Sequence, residues 1–218
     1  SGSLATNVSG DSNTAFGVGA LTVNTASNNT ALGASALTAN TTGDRNVAVG
    51  YNTLDANTVG VRNNAIGYNA LGADTKGSKS VALGYGAIQT QNLTSATDVF
   101  NVGIGYNSLG SNTTGINNTA IGGESLDANT TASHNTAVGK SALTTNTTGA
   151  TNSAVGRASL FANTTGTANV AVGDHGLAAN TTGGDNTGIG RNALGANTTG
   201  SNNIAIGSLA LDANTTVS

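Results

Sequence analysis

The chain has 218 residues, of which 8% are charged and 3% aromatic, with a formal net charge of −3 at pH 7 and no cysteine. So few charges give no basic surface for nucleic acid, and a chain without cysteine has neither a disulfide framework nor thiolate chemistry. It also has no run of about 18 apolar residues, so we expect no helix inserted in a membrane.

A glycine that follows a large apolar residue recurs along the chain, in most cases 17 residues after the previous one. These glycines are Gly17, Gly33, Gly50, Gly67, Gly84, Gly105, Gly122, Gly139, Gly156, Gly173, Gly190 and Gly207. A leucine or isoleucine stands four residues after each of them. Self-similarity at one period is the signature of a repeat architecture. We therefore expect a single array of about twelve 17-residue units over residues 4–218.

Both ends of this array fall inside a repeat. Solenoids normally carry atypical capping repeats at their ends, and neither end shows one. We therefore expect the array to be a fragment of a longer one, and residues 1–3 (Ser-Gly-Ser) to be a remnant of cloning.

Within one repeat, the pattern favours strand over helix. Small and apolar residues alternate with period two around residues 47–50, β-branched residues are frequent, and glycine recurs too often for a helix. We expect a second strand around the Ala-Leu pair that follows, and a type I turn at residues 40–43, where glycine tolerates positive φ. The sequence thus predicts an all-β fold: a parallel β-solenoid (β-roll) of about twelve 17-residue coils.

Residues in the same repeat position form a column. We expect the large apolar column before glycine and the leucine column after it to form two internal ladders, and the asparagine four residues before glycine to form a ladder of stacked amides. Two large side chains per coil offset only a small part of the conformational entropy that ordering 17 residues costs. A further buried surface is therefore expected.

The alanine column, two residues before glycine, is the candidate for that surface. It includes Ala48, Ala65, Ala82, Ala120, Ala137, Ala154 and Ala171. Small side chains permit the close approach of another backbone, so this column is either the interface of a homotrimer or the lining of a tight turn inside one chain.

Three segments resemble a known repeat: residues 46–50 (Asn-Val-Ala-Val-Gly), 80–84 (Ser-Val-Ala-Leu-Gly) and 203–207 (Asn-Ile-Ala-Ile-Gly). They are similar to the Ser-Val-Ala-Ile-Gly repeats in the heads of trimeric autotransporter adhesins, although the unit of that family is shorter. The full consensus, as in residues 135–149, resembles more closely the arrays of phage tail-fibre-like proteins.

The resemblance covers nearly the whole chain. It implies a left-handed β-roll that assembles as a homotrimer and is extracellular, on a virion fibre or a bacterial cell surface. It also implies a cell-surface glycan or host receptor as a partner. It carries over no catalytic residue.

Three sequence features stand out from the repeat. The first is a tyrosine column directly after glycine: Tyr51, Tyr68, Tyr85 and Tyr106. Tyrosines on consecutive coils form an aromatic stripe, which either binds sugar rings or stabilises the coil stack.

The second feature is a four-residue insertion within residues 85–104. It contains Gln89, Gln91, Asn92, Thr94 and Asp98. A single bulging loop on a regular solenoid is a place for binding specificity, and a neutral insertion explains it equally well.

The third feature is a threonine column in the turn. It includes Thr41, Thr58, Thr130, Thr147, Thr164, Thr181 and Thr198. Regular rows of hydroxyl and methyl groups suit an ice-binding face, whereas threonine also suits a turn for reasons of backbone conformation.

No acid, base or nucleophile is brought together by the pattern. His134 and His175 occupy different repeat positions more than two coils apart, so they cannot share a metal. We expect no catalysis, cofactor or metal site. The sequence predicts a structural or adhesive segment of a trimeric surface fibre. The alternative is a single-chain binding solenoid that binds ice or carbohydrate.

Overall fold

The computed structural model describes residues 2–7 and 9–216. Ser1 of the expected cloning remnant, and Val8, Val217 and Ser218 of the expected array, lie outside the described residues. The chain divides into two compact units: Ser1–Asn107 with Ser111–Thr114, and Ser108–Gly110 with Gly115–Ser218. The described residues of both units are all-β and contain no helix.

The first unit has eight short strands among its described residues. They are β1 (Thr14–Phe16), β2 (Thr30–Leu32), β3 (Val47–Val49), β4 (Asn64–Ile66), β5 (Gly77–Ser78), β6 (Val81–Leu83), β7 (Thr97–Asp98) and β8 (Val102–Ile104). Strands β1, β2, β3, β4, β6 and β8 pair in parallel in this order, and β5 pairs separately with β7. Equivalent repeat positions are partners, as in Ala48 and Ala65. Val81 pairs with Val102 across the longer repeat, so the extra residues lie outside this sheet.

The second unit has six strands among its described residues. They are β9 (Thr119–Ile121), β10 (Thr136–Val138), β11 (Ser153–Val155), β12 (Val170–Val172), β13 (Thr187–Ile189) and β14 (Ile204–Ile206). They pair in parallel in chain order, again with equivalent positions opposite each other. Each unit is therefore a parallel β-solenoid with a spacing of about 17 residues, which confirms the predicted fold class. Its handedness and trimeric state stay predictions.

The expected second strand around the Ala-Leu pair is wrong. Leu37 has a φ of 51°, and this left-handed conformation turns the chain instead of extending it. The N–H of Asn40 then donates to the carbonyl of Leu37 at 3.2 Å, while the N–H of Leu37 donates to the carbonyl of Thr53 in the next coil at 3.1 Å. The segment is a corner that keeps the coil-to-coil hydrogen bonds without forming a strand.

The leucine column is the apolar core, as predicted. Eleven of its members are fully buried, and Leu211 in the last coil is exposed; the buried members are Leu21, Leu37, Leu54, Leu71, Ile88, Leu109, Leu126, Leu143, Leu160, Leu177 and Leu194. The second expected internal ladder is wrong, because the large apolar column before glycine points out of the coil. Neighbouring residues in a strand point to opposite sides, so only one of Ala65 and Ile66 can face the interior, and the narrow interior takes the alanine.

The assignment of the alanine column to an interface is also wrong. Ala48, Ala65, Ala120, Ala137, Ala154 and Ala171 are 0% exposed and Ala82 is 1% exposed within the single chain. Gly188 stands in this column, and a Cβ there would lie 3.2 Å from Cγ of Leu177. The column is small because it packs across the coil on the leucine ladder, inside one chain.

The rest of the interior is polar and consists of two asparagine ladders. In the predicted ladder, Oδ1 of Asn29 accepts the N–H of Asn46 at 2.9 Å, and Nδ2 of Asn46 donates to the carbonyl of Gly60 at 2.8 Å. In a second ladder, at the turn, Nδ2 of Asn40 donates to the carbonyl of Gly43 at 2.9 Å. These amides satisfy backbone groups that the short strands leave unpaired.

The predicted turn at residues 40–43 is not closed by the hydrogen bond from residue 43 to residue 40 that is typical of a type I turn. The N–H of Gly43 donates to the carbonyl of Thr58 in the next coil, not back to Asn40. The φ of Gly43 is also not positive. Glycine is favoured at this position because a Cβ on Gly43 would overlap the carbonyl oxygen of Gly60.

Candidate functional site

The outward side of the strands presents apolar side chains coil after coil. The large residues that end the strands are 37–43% exposed at Leu32, Ile66, Leu83, Ile121, Val155, Val172 and Ile189. The residues that begin the strands share this side and are half-buried at Val47, Val81, Val102, Thr119, Thr136 and Val170. We call these two rows the outward strand face.

The outward strand face has a fixed geometry within each unit. Parallel strands in register place equivalent side chains about 4.8 Å apart on successive rungs, so the apolar groups form a continuous stripe. Soluble monomers rarely expose a large contiguous apolar patch, and such patches mark interaction surfaces. This face is therefore the strongest candidate for a functional surface.

The tyrosine column forms a ladder of rings in the first unit. Centroids are 5.6 Å apart for Tyr51 and Tyr68, 4.9 Å for Tyr68 and Tyr85, and 5.6 Å for Tyr85 and Tyr106, with interplanar angles of 22°, 7° and 19°. A sugar ring needs about 7 Å between two aromatic planes to fit at van der Waals distance from both. The faces of Tyr68 and Tyr85 are therefore closed to sugars, and the ladder offers ring edges and hydroxyl groups instead.

The threonine column of the turn does not present free hydroxyl groups. Oγ1 donates to the carbonyl of the equivalent threonine in the next coil, at 2.9 Å from Thr41 to Thr58 and 3.1 Å from Thr147 to Thr164. The same bond is made by Thr58, Thr130, Thr164, Thr181 and Thr198. The hydroxyl hydrogens thus point along the solenoid and order the turn, which disfavours this column as an ice-binding face.

The insertion separates into an anchored base and an exposed loop. Gln91 is fully buried, so its expected place in a specificity loop is wrong: its Nε2 donates to Oδ2 of Asp74 at 2.8 Å. Gln89 is half-buried, whereas Asn92, Thr94 and Asp98 are exposed.

Two lysines and a threonine of the preceding coil bind the exposed loop. Thr75 donates to Oδ1 of Asn92 at 2.9 Å, and Nζ of Lys76 donates to the carbonyl of Thr94 at 3.0 Å. Lys79 pairs with Asp98 and lies 5.1 Å from the centroid of the Phe100 ring. These contacts hold the loop without covering it.

A charged cluster lies in the second unit. Nε of Arg157 is 2.9 Å from Oδ1 of Asp174, and Nδ1 of His175 is 3.1 Å from Oδ2. The hydrogen bond from His175 and the interaction with Arg157 hold the pKa of Asp174 below its usual value. A depression of about 290 Å³ beside this cluster is lined in part by Lys140 and Phe161. Asp174 balances the charge of Arg157 beside this depression.

No metal centre is assembled in the part of the chain that the structure describes, since three His, Cys, Asp or Glu side chains never meet there. Burial raises the pKa values of Asp55 and Asp127, which lie in different units. The residues that the structure describes include no helix that is long and apolar enough to cross a membrane.

Sequence reasoning missed the outward strand face, although the sequence carried a signal for it. The column that begins the strands includes Asn64, Thr119 and Ser153, and polar residues there indicate a solvent-facing side. Since the residue that ends each strand shares that side, the large apolar column could have been placed outside.

The fold and this surface define a repeat protein of the β-solenoid class with an apolar outer face. Comparisons of the chain with protein-family models, with curated proteins and with solved structures find no match.

Proposed function

We propose that the chain is a non-catalytic structural segment of a homotrimeric surface fibre, in which the outward strand faces of three copies pack together. The observation that carries the proposal is the apolar outward strand face, which includes Ile66 in the first unit and Ile121 in the second. In water, each of these exposed side chains forgoes the stabilisation that burial gives.

The occupant of this face is a second and a third copy of the chain. A partner that covers a stripe with one apolar rung every 4.8 Å needs the same rise, and a copy of the chain has it. Homo-oligomers with closed symmetry are the usual solution to such self-complementary surfaces. The resemblance of residues 46–50 and 203–207 to adhesin-head repeats selects three copies.

The adhesive part of the proposal concerns residues outside the strand face. The exposed loop with Asn92, Thr94 and Asp98 interrupts the repeat, and the tyrosine ladder adds a row of hydroxyl groups nearby in the sequence. In a fibre on a virion or a bacterial cell, these groups contact a glycan or a receptor. The turn threonines are not proposed for ice binding, because their hydroxyl groups bond within the stack.

Single cysteines test the packing, since the chain has no cysteine of its own. Ile121→Cys places a thiol on the outward strand face, and Thr148→Cys places one on an exposed turn. With a short bismaleimide cross-linker at micromolar protein, we expect cross-linked species for Ile121→Cys but only monomer for Thr148→Cys. Equal cross-linking of the two variants contradicts the proposal.

A further inference from the structure

The turn ladder of the first unit contains one rung at which the hydrogen bonding fails. Nδ2 of Asn40 donates to Oδ1 of Asn24 at 2.7 Å, and Nδ2 of Asn57 donates to Oδ1 of Asn40 at 2.8 Å. The next rung should donate to Oδ1 of Asn57. That atom is instead the one buried side-chain N or O atom without a hydrogen-bond partner in the described residues.

The orientation of the Asn57 amide is fixed. Its Nδ2 donates to Oδ1 of Asn40 and, at 3.1 Å, to the carbonyl of Gly60. Rotating the amide by half a turn would set its oxygen against both of these acceptors. The missing donor must therefore come from the next rung, which carries Asp74 in place of asparagine.

Asp74 is fully buried, and both of its carboxyl oxygens already accept hydrogen bonds. Oδ1 accepts the N–H of Gly77 at 2.9 Å, and Oδ2 accepts Nε2 of Gln91 at 2.8 Å. An ionised carboxylate has no hydrogen to donate, whereas a protonated carboxyl has one. Only the protonated form can supply the donor that an asparagine supplies elsewhere in the ladder.

The charged groups around this rung point elsewhere. Lys76 is bound to the carbonyl of Thr94, Lys79 is paired with Asp98, and Asp55 in the preceding coil is itself an acid. Burial raises the pKa of Asp74. The hydrogen bonds from the backbone N–H groups of Gly77 and Lys76 and from the side chain of Gln91 lower this pKa but do not cancel the effect of burial. No cation replaces the missing donor.

We propose that Asp74 keeps its carboxyl proton in the folded chain and donates a hydrogen bond through it to Oδ1 of Asn57, so that the base of the insertion loosens as the pH rises. The link to the insertion is Gln91. It binds Asp74 through Nε2 and accepts Nδ2 of Asn101 through Oε1 at 2.8 Å. Gln91 and Asn101 lie at the two ends of the exposed loop. Ionisation of Asp74 therefore weakens the hydrogen bonds that hold the ends of this loop in place.

The sign of the pH dependence follows from the raised pKa. The folded chain binds this proton more tightly than the unfolded chain, so the stabilisation is complete below the unfolded pKa, near 3.8. It is lost as the pH rises through the folded pKa. Ionisation leaves the Asn57 acceptor unpaired and adds a buried charge.

The test compares the full chain with Asp74→Asn, which restores the repeat asparagine and donates at every pH. Asp55→Asn is the matched control, because it removes a carboxyl group whose pKa is also raised by burial but which lies outside the ladder. From pH 4 to pH 8 we expect the melting temperature of the wild type to fall relative to Asp74→Asn by at least about 2 °C, and to move less relative to Asp55→Asn. Hydrogen exchange at residues 92–100 should rise with pH in the wild type beyond the intrinsic rate, and not in Asp74→Asn.

Two results would overturn the proposal. One is a difference in melting temperature between the wild type and Asp74→Asn that stays constant with pH or grows as the pH falls. The other is a difference at pH 8 that calcium or magnesium removes and a chelator restores, which would place a metal ion between the oxygens. Calcium takes six to eight oxygen ligands, and the amide donors around Asp74 oppose it. Infrared detection of a protonated carboxyl in the folded wild type, absent from Asp74→Asn, gives an independent readout.

Discussion

The contribution of the buried amide ladders can be measured at Asn135. Its Nδ2 donates to the carbonyl of Gly149 at 2.9 Å, and its Oδ1 accepts the N–H of Asn152 at 2.9 Å. Asn135→Leu keeps the approximate size of the side chain but leaves the N–H of Asn152 without this partner, whereas the carbonyl of Gly149 still accepts Nδ2 of Asn146. One unsatisfied buried group costs about 1–3 kcal/mol, so we expect a loss of about 1–3 kcal/mol. That loss is a substantial part of the stability of a typical domain.

Guanidinium unfolding followed by far-ultraviolet circular dichroism measures this loss, together with hydrogen exchange to locate it. Exchange is needed because a repeat array can open locally instead of unfolding as one unit. Thr148 lies on an exposed turn. Thr148→Leu is therefore the control, and it should change the free energy of unfolding by less than about 0.5 kcal/mol. If Asn135→Leu unfolds at the same denaturant concentration as this control, the ladder does not stabilise the fold as argued.

Two further predictions concern the core and the strand ends. Leu126→Ala should lower the free energy of unfolding by about 3–5 kcal/mol, because Leu126 is fully buried. Ile121→Ala should lower it by less than about 1.5 kcal/mol when the chain is dilute and monomeric. Denaturant unfolding measures both losses, and equal losses would contradict the assignment of inner and outer columns. Gly67→Ala should cost at least about 2 kcal/mol, because Gly67 has a φ of 134° and a Cβ would overlap the carbonyl oxygen of Gly84; an unchanged melting temperature would refute this.

The sequence determines the solenoid because its columns must repeat for the coils to stack. The leucine column could be placed inside from its constancy alone, and the asparagine ladder from the chemistry of amides. The sides of the strand could not be assigned in the same way. Period two shows that Thr136 and Val138 share a side, but whether that side is inner or outer depends on the width of the coil. The width is set by the corner at Leu143, whose φ of 51° is rare for leucine and is not predicted by its side chain.

The base of the insertion shows a second limit. The four extra residues are evident from the spacing of the glycines, but their number does not say where the coil absorbs them. The structure absorbs them after Gln91, which takes the ladder position of an asparagine and stays buried. The interaction of Gln91 with Asp74 depends on that register, so neither the buried acid nor the unpaired oxygen of Asn57 could be found from the sequence.

We propose that copies of the same chain cover the outward strand face. Light scattering after gel filtration measures the absolute mass in solution, for the wild type and for the double variant Ile66→Asp with Ile121→Asp, which charges the face in both units. We expect about three times the 21.0 kDa chain mass for the wild type and about 21.0 kDa for a folded double variant. A folded wild type that stays at 21.0 kDa at high micromolar concentration would contradict it.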